Sequence, residues 1–149
     1  MEERYIYFVL KIKNKIRIKE LDESKYTFEW VFEHQKASDI AERLLLTFHD
    51  RLTKQLYKAN LDWSARTHKI GVAYLCGKKV FIWANVCQEF VSLKFFTGDN
   101  SIKGLKKANW NYKDDKIGSE TFRIVDSDSL NQAVDFALKA YEIAVDWSR

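Results

Sequence analysis

Residues 101–116, SIKGLKKANWNYKDDK, bring cations and flat rings into one run: ammonium groups at Lys103, Lys106, Lys107 and Lys113, an indole at Trp110, a phenol at Tyr112 and amides at Asn109 and Asn111. Ammonium groups attract phosphate, aromatic faces stack on a base and amides hydrogen-bond its edge. These residue types together suit a nucleotide, signalling nucleotides included, or single-stranded nucleic acid. Trp83 joins them as a stacking shelf, because its expected neighbours across a hairpin, Ala73 and Gly71, are small and leave room beside the indole. A plainer account uses the same residues: Trp110 pins a long connection, the lysines are solvated and Trp83 fills the core. A second cationic stripe, Lys11 to Lys19 on odd positions, reads either as a phosphate track or as edge-strand lysines that block unwanted pairing.

Catalytic constellations find less support. Asp62, Ser64 and His68 have the residue types of a hydrolase triad, yet they crowd into seven positions of an expected loop with no GxSxG turn to present the serine. His34, His49 and His68 are scattered singly, and His49, followed by Asp50, reads as a surface residue. A metal-dependent nuclease needs its acidic residues on paired strands; the nearest match, Asp22, Glu23 and Lys25, falls in a turn. Cys76 and Cys87 are the only cysteines and would lie on the order of 20 Å apart at opposite ends of a hairpin, so they read as free thiols. No cofactor, no metal and no catalytic residue is assigned.

Whatever positions these groups is one domain. The chain has 149 residues, 46% of them apolar and 15% aromatic, enough to bury a substantial core. Its formal charge of +4 favours an acidic partner without resembling a polybasic tail. No stretch approaches the ~18 apolar residues of a membrane span and the start lacks a leader pattern, so a cytoplasmic location without membrane attachment is the expectation.

The hydrophobic periods then order the elements. Residues 5–19 alternate with period two and read as an N-terminal strand extension (1–36), to which YTFEWVF, 26–32, adds a further strand. From Ser38 the period changes: Ile40, Leu44, Phe48, Leu52 and Leu56 recur every four residues, predicting a helix over about 38–59 with Ser38 as its cap. LDWSARTH reads as a loop. KIGVAYLC-GKK-VFIWANV predicts a hairpin turning at Gly77–Lys79, with Val72 facing Ala84, Ala73 facing Trp83, Tyr74 facing Ile82, Leu75 facing Phe81 and Cys76 facing Val80, and with both faces apolar. EFVSLKFF and TFRIV add strands, and a closing helix over about 128–147 carries Leu130, Ala133, Val134, Ala137, Leu138, Tyr141 and Val145 on one stripe, capped by Ser127. Residues 37–149 thus form a helix, strand meander and helix. The prediction is an α+β domain with a mostly antiparallel sheet of five to seven strands and two main helices.

From about His68 to Ala144 this pattern resembles a bacterial domain family labelled "predicted transport protein", sometimes fused to restriction-type nucleases. The resemblance rests on the aromatic hairpin GVAYLCGKKVFIWANV, the strand FVSLKFF, the segment SIKGLKKANW and a closing helix with a late tyrosine, Tyr141. Where NWNYKDDK stands, the family often carries a glycine and aromatic cluster. The resemblance implies the α+β fold, a bacterial or phage-like setting and an association with nucleases. The function expected is a small non-catalytic module that binds an anionic aromatic ligand. Two alternatives stay open: a protein–protein interaction or homodimerisation domain using the apolar hairpin face, and a metal-dependent nuclease or hydrolase.

Overall fold

The computed structural model describes residues 21–98, 100–107 and 118–147; the stripe from Lys11 to Lys19 and the strands expected over 5–19 lie outside them. Strands β1 (Leu21–Asp22), β2 (Ser64–His68), β3 (Gly71–Cys76), β4 (Lys79–Val86), β5 (Val91–Gly98), β6 (Lys106–Lys107) and β7 (Gly118–Ile124) form one sheet in the order β1-β2-β3-β4-β5-β7-β6. Only the β1–β2 pair is parallel. Helices α1 (Phe28–Gln35), α2 (Asp39–Lys58) and α3 (Ser127–Trp147) complete the α+β domain.

The long helices sit where the four-residue apolar steps place them. Ser38 accepts the N–H of Ala41 as the α2 cap, and Leu45, Phe48, Leu52 and Leu56 are fully buried. Ile40 is the exception to its stripe, standing 57% exposed in the first turn. In α3 the cap is Asp126 and not Ser127: Asp126 Oδ1 accepts from the N–H of Ser129, whose hydroxyl oxygen accepts from the N–H of Asp126. This reciprocal pair is a capping box with serine in the glutamate's place.

Two elements differ from the sequence expectation. YTFEWVF is not a strand but the start of α1. Alternating aromatics suggested period two, yet the buried residues are Phe28, Val31 and Phe32, one helical stripe, with Thr27 accepting the N–H of Trp30 as cap. Eight residues cannot hold a helix alone. Burial of three large side chains, at about 1.5–3 kcal/mol each, holds it against α2, where Phe28 meets His49 with ring centroids 5.7 Å apart. The left-handed Lys36 (φ 53°) then ends the helix. The second difference is SARTH, a paired strand and not a loop: Ala65 and Thr67 are buried while Arg66 is exposed.

Ring contacts show which sheet face carries the helices. Tyr74 meets Phe48 of α2 at 6.0 Å, and Phe95 and Phe122 meet Phe136 of α3 at 6.3 and 5.0 Å. Ala65, Tyr74, Ile82 and Phe95 form one cross-strand row on this face, and Val72, Ala84, Leu93 and Phe122 the next. The hairpin pairs Val72 with Ala84, Ala73 with Trp83 and Tyr74 with Ile82 as expected, but a bulge then shifts Leu75 to Val80 and Cys76 to Lys79. Phe81 is left without an opposite residue. It is fully buried and meets Tyr141 of α3 at 5.3 Å, so neighbouring residues Phe81 and Ile82 both serve the helix side. Cys76 and Cys87 are free, as expected of thiols at the two ends of this hairpin.

Gly71 marks a close approach of β3 to β4: a β-carbon there would stand 1.8 Å from the carbonyl oxygen of Ala84. Gly77, at φ 59° in the hairpin turn, has open space around it. Gly71→Ala is therefore expected to cost about 2–4 kcal/mol by prying the central strands apart. Gly77→Ala is expected to cost about 1 kcal/mol, from backbone strain alone. Urea unfolding of both variants checks this, and equal losses would contradict the close approach.

Candidate functional site

Alternation sends the remaining strand residues to the face without helices. Register pairs run Asp22, Arg66, Ala73, Trp83, Lys94, Thr121 and Lys106 in one row across every strand of the sheet. A second row runs His68, Gly71, Asn85, Ser92 and Arg123. Glu120 is the only carboxylate in β2–β7. It pairs with Phe95, is 6% exposed and accepts the N–H of Ile102 at 2.8 Å, on the helix side. Arg66, Lys106 and Arg123 stand exposed on the helix-free face. The apolar second hairpin face that the sequence suggests is reduced to Ala73, Leu75, Val80 and Trp83, because the bulge moves Phe81 to the helix side; Ala73 and Leu75 are buried.

Trp83 is half-buried. Its ring meets the His68 imidazole edge-on at 5.2 Å and 77°, although the two residues belong to β2 and β4. They touch across β3 because Gly71 raises no side chain and Ala73 only a methyl between them. Lys94, next to Trp83 in the row, is 9% exposed, and burial lowers its pKa. Arg123 lies 4.5 Å over the Phe90 ring. At the row's end the Asp22 carboxylate accepts the N–H of Ser24 at 2.8 Å; the bonds from Ser24, with the charges of Arg66 and Lys25, hold its pKa below the usual value.

The expected site residues divide accordingly. Lys106 and Trp83 share the row, three strand spacings apart with Thr121 and Lys94 between them. Lys107 pairs in backbone register with Glu120. Lys103 is exposed in a turn whose next residue, Gly104, rests on Phe136, so that turn belongs to the helix side and not with Trp83. Trp110, Tyr112 and Lys113 lie outside the described residues.

The catalytic alternatives come apart. Ser64 and His68 occupy opposite ends of β2, on the order of 13 Å apart, and the backbone oxygen of Asp62 accepts from Tyr141 at 2.7 Å. Glu23 accepts the N–H of Phe28 at the start of α1, and among the described residues no group of three His, Cys, Asp or Glu could hold a metal. His49 is not a surface residue: its Nδ1 lies 2.8 Å from the hydroxyl of Tyr74, a fully buried phenol whose pKa burial raises.

Sequence reading overlooked a cleft of about 470 Å3 at the β2 edge, lined by Lys25, Tyr26, Arg66, His68 and Lys69 with Asp22. Its signal was present in SARTH, where buried Ala65 and Thr67 alternate with Arg66 and His68. The chain matches no family profile, no curated protein and no solved structure. Among the described residues no helix is long and apolar enough to cross a membrane.

Burial first, then the Arg66 charge, lowers the His68 pKa. A histidine with a depressed folded pKa binds protons more readily once unfolded. Its contribution to stability is therefore lost as pH falls through the unfolded value near 6.5 toward the lower folded value. Urea midpoints of the wild type are expected to drop between pH 7.5 and 5.5 by more than those of His68→Gln. Parallel drops would contradict this placement of the imidazole.

Proposed function

We propose that this domain binds, without transforming it, an anionic aromatic ligand, and that the ligand is single-stranded nucleic acid laid across the helix-free face. One observation carries the reading: the single carboxylate of β2–β7 turns to the helix side, while Arg66, Lys94, Lys106 and Arg123 share the other face with the indole of Trp83. Cations along a backbone and a flat ring for a base are the two requirements of sequence-tolerant single-strand binding. From Arg66 to Lys106 the row crosses five strand spacings, roughly 24 Å, or about seven stacked nucleotides at ~3.4 Å each. Membership of the bacterial family that the meander resembles is part of this proposal, and contributes a fold and no activity.

Fluorescence anisotropy with a labelled ten-nucleotide single strand tests the reading. With three phosphates engaged, by the exposed Arg66, Lys106 and Arg123, the logarithm of the association constant is expected to fall with the logarithm of salt at a slope of roughly −2. Trp83→Ala is expected to weaken binding at least about fivefold, with Trp83→Phe close to wild type. Lys106→Gln should make the slope shallower by about 0.7. No binding by the wild type at low salt would refute the proposal, as would equal affinity of Trp83→Ala and wild type.

A further inference from the structure

The cleft at the β2 edge has a construction of its own. It is walled by β2 and by the turn from Asp22 to Tyr26. That turn is stapled down by Thr67, 4% exposed, whose hydroxyl donates to the backbone oxygen of Tyr26 and, at 3.4 Å, to that of Asp22. Ser24 closes the turn on the Asp22 carboxylate.

Charge and ring type converge there. Lys25, Arg66 and Lys69 supply three cations, all on exposed residues, against the one carboxylate of Asp22. His68 stays uncharged near neutral pH because its pKa is lowered. The cleft thus carries a net charge of +2. A phosphodiester within a strand is a monoanion, whereas a phosphomonoester approaches a dianion at neutral pH. On charge balance the phosphomonoester is the better match.

Tyr26 lines the same cleft and is backed by an aromatic column. Its ring lies 4.5 Å from that of Trp30, which stacks 4.6 Å and 15° from that of His34. Trp30 and His34 are a step of four apart on α1, and Tyr26, just before the Thr27 cap, packs on Trp30 from the end of the turn. The burial of Phe28, Val31 and Phe32 anchors that helix while Trp30 stays 39% exposed. A ring fixed from behind by two others is a platform that loses little freedom when a base stacks on it. The volume of about 470 Å3 lies in the range of small-ligand sites.

We infer that this cleft is a separate subsite for a nucleotide bearing a phosphomonoester, with its phosphate held by Lys25, Arg66 and Lys69 and its base on Tyr26. The inference rests on the nucleic-acid reading above for one of its two sources, the phosphorylated end of a bound strand; the other source is a free mononucleotide. Arg66 belongs to both the cleft and the cross-sheet row, so a strand on the sheet face can end in the cleft without a gap.

Four probes separate the possibilities: adenosine 5′-monophosphate, adenosine, and a ten-nucleotide strand with and without a 5′-phosphate, each followed by tryptophan fluorescence and anisotropy. The monophosphate is expected to bind at least about tenfold more tightly than adenosine, and the phosphorylated strand more tightly than the plain one. Lys25→Gln and Lys69→Gln, exposed positions that leave the fold intact, should each erode that preference about three- to fivefold. Tyr26→Ala should weaken the monophosphate about tenfold and Tyr26→Phe should not. Lys106→Gln should leave the monophosphate untouched while weakening both strands. A preference for the monophosphate without strand binding would support the cleft with free nucleotide as its source and refute the sheet-face reading. Equal binding of phosphorylated and plain strands, with no effect of Lys25→Gln or Lys69→Gln and no monophosphate binding, overturns the inference while the sheet-face reading stands.

Discussion

One-sided burial governs this molecule. A β-strand points its side chains alternately to two faces, and the helices α2 and α3 pack on one of them, the described residues placing none on the other. Tyr74, Ile82, Phe95, Leu93 and Ala84 enter a core with α2 and α3 at zero exposure. Once that face is chosen, register leaves no freedom about the other, because a slip of one residue would bury Arg66 and expose Tyr74 and Ile82. Desolvating such a guanidinium against apolar helices would cost several kcal/mol, comparable with the net stability of a domain. The cationic row is therefore held in place by the apolar core behind it.

Two local devices sharpen this division. The bulge at Phe81 breaks the alternation where strict alternation would have put a large phenyl ring on the polar face, and a second irregularity in β5 lets Phe96 as well as Phe95 meet α3, at Trp147 and Phe136. Gly71 and Ala73 keep β3 low, which lets His68 and Trp83 meet over it and ties the ring on β4 to the charged edge at β2. The same edge carries Tyr26, packed against Trp30 and His34 of α1. Cation and ring are thus placed side by side by two unrelated elements, the sheet register and a short helix.

The sequence revealed the scaffold more readily than the site, for identifiable reasons. Apolar stripes located α2 and α3 nearly to the residue, since a run such as Ile40, Leu44, Phe48, Leu52 and Leu56 has no reading other than a helix. The hairpin pairs up to Tyr74 and Ile82 followed from counting outward from a glycine turn. The count failed between the turn and the bulge, at Leu75 and Cys76, because an unpaired residue leaves no mark in the periodicity; Phe81, the unpaired residue, offset a turn one residue shorter than expected. The helix α1 was misread because its aromatics at 26, 28, 30 and 32 satisfy two periods at once, and only tertiary burial selects Phe28, Val31 and Phe32. Of the candidate residues, Trp83 and Lys106 lie on one row with Lys94 and Thr121 between them; Lys103 does not join them, since the turn holding it packs through Gly104 on Phe136. Arg66, Lys69 and Tyr26 went unnoticed because they assemble only when distant segments pair, a property of topology that no local motif encodes.

The most direct test of this account is a chemical-shift map of the domain titrated with a short single-stranded oligonucleotide, reading the indole N–H of Trp83 and the backbone amides of every strand. The account predicts that Trp83 and the residues around Arg66, Lys94 and Thr121 move together, while the buried stripes of α2 and α3 stay still. Perturbations confined to the helices, or an indole signal of Trp83 that does not shift at saturating oligonucleotide, would contradict it.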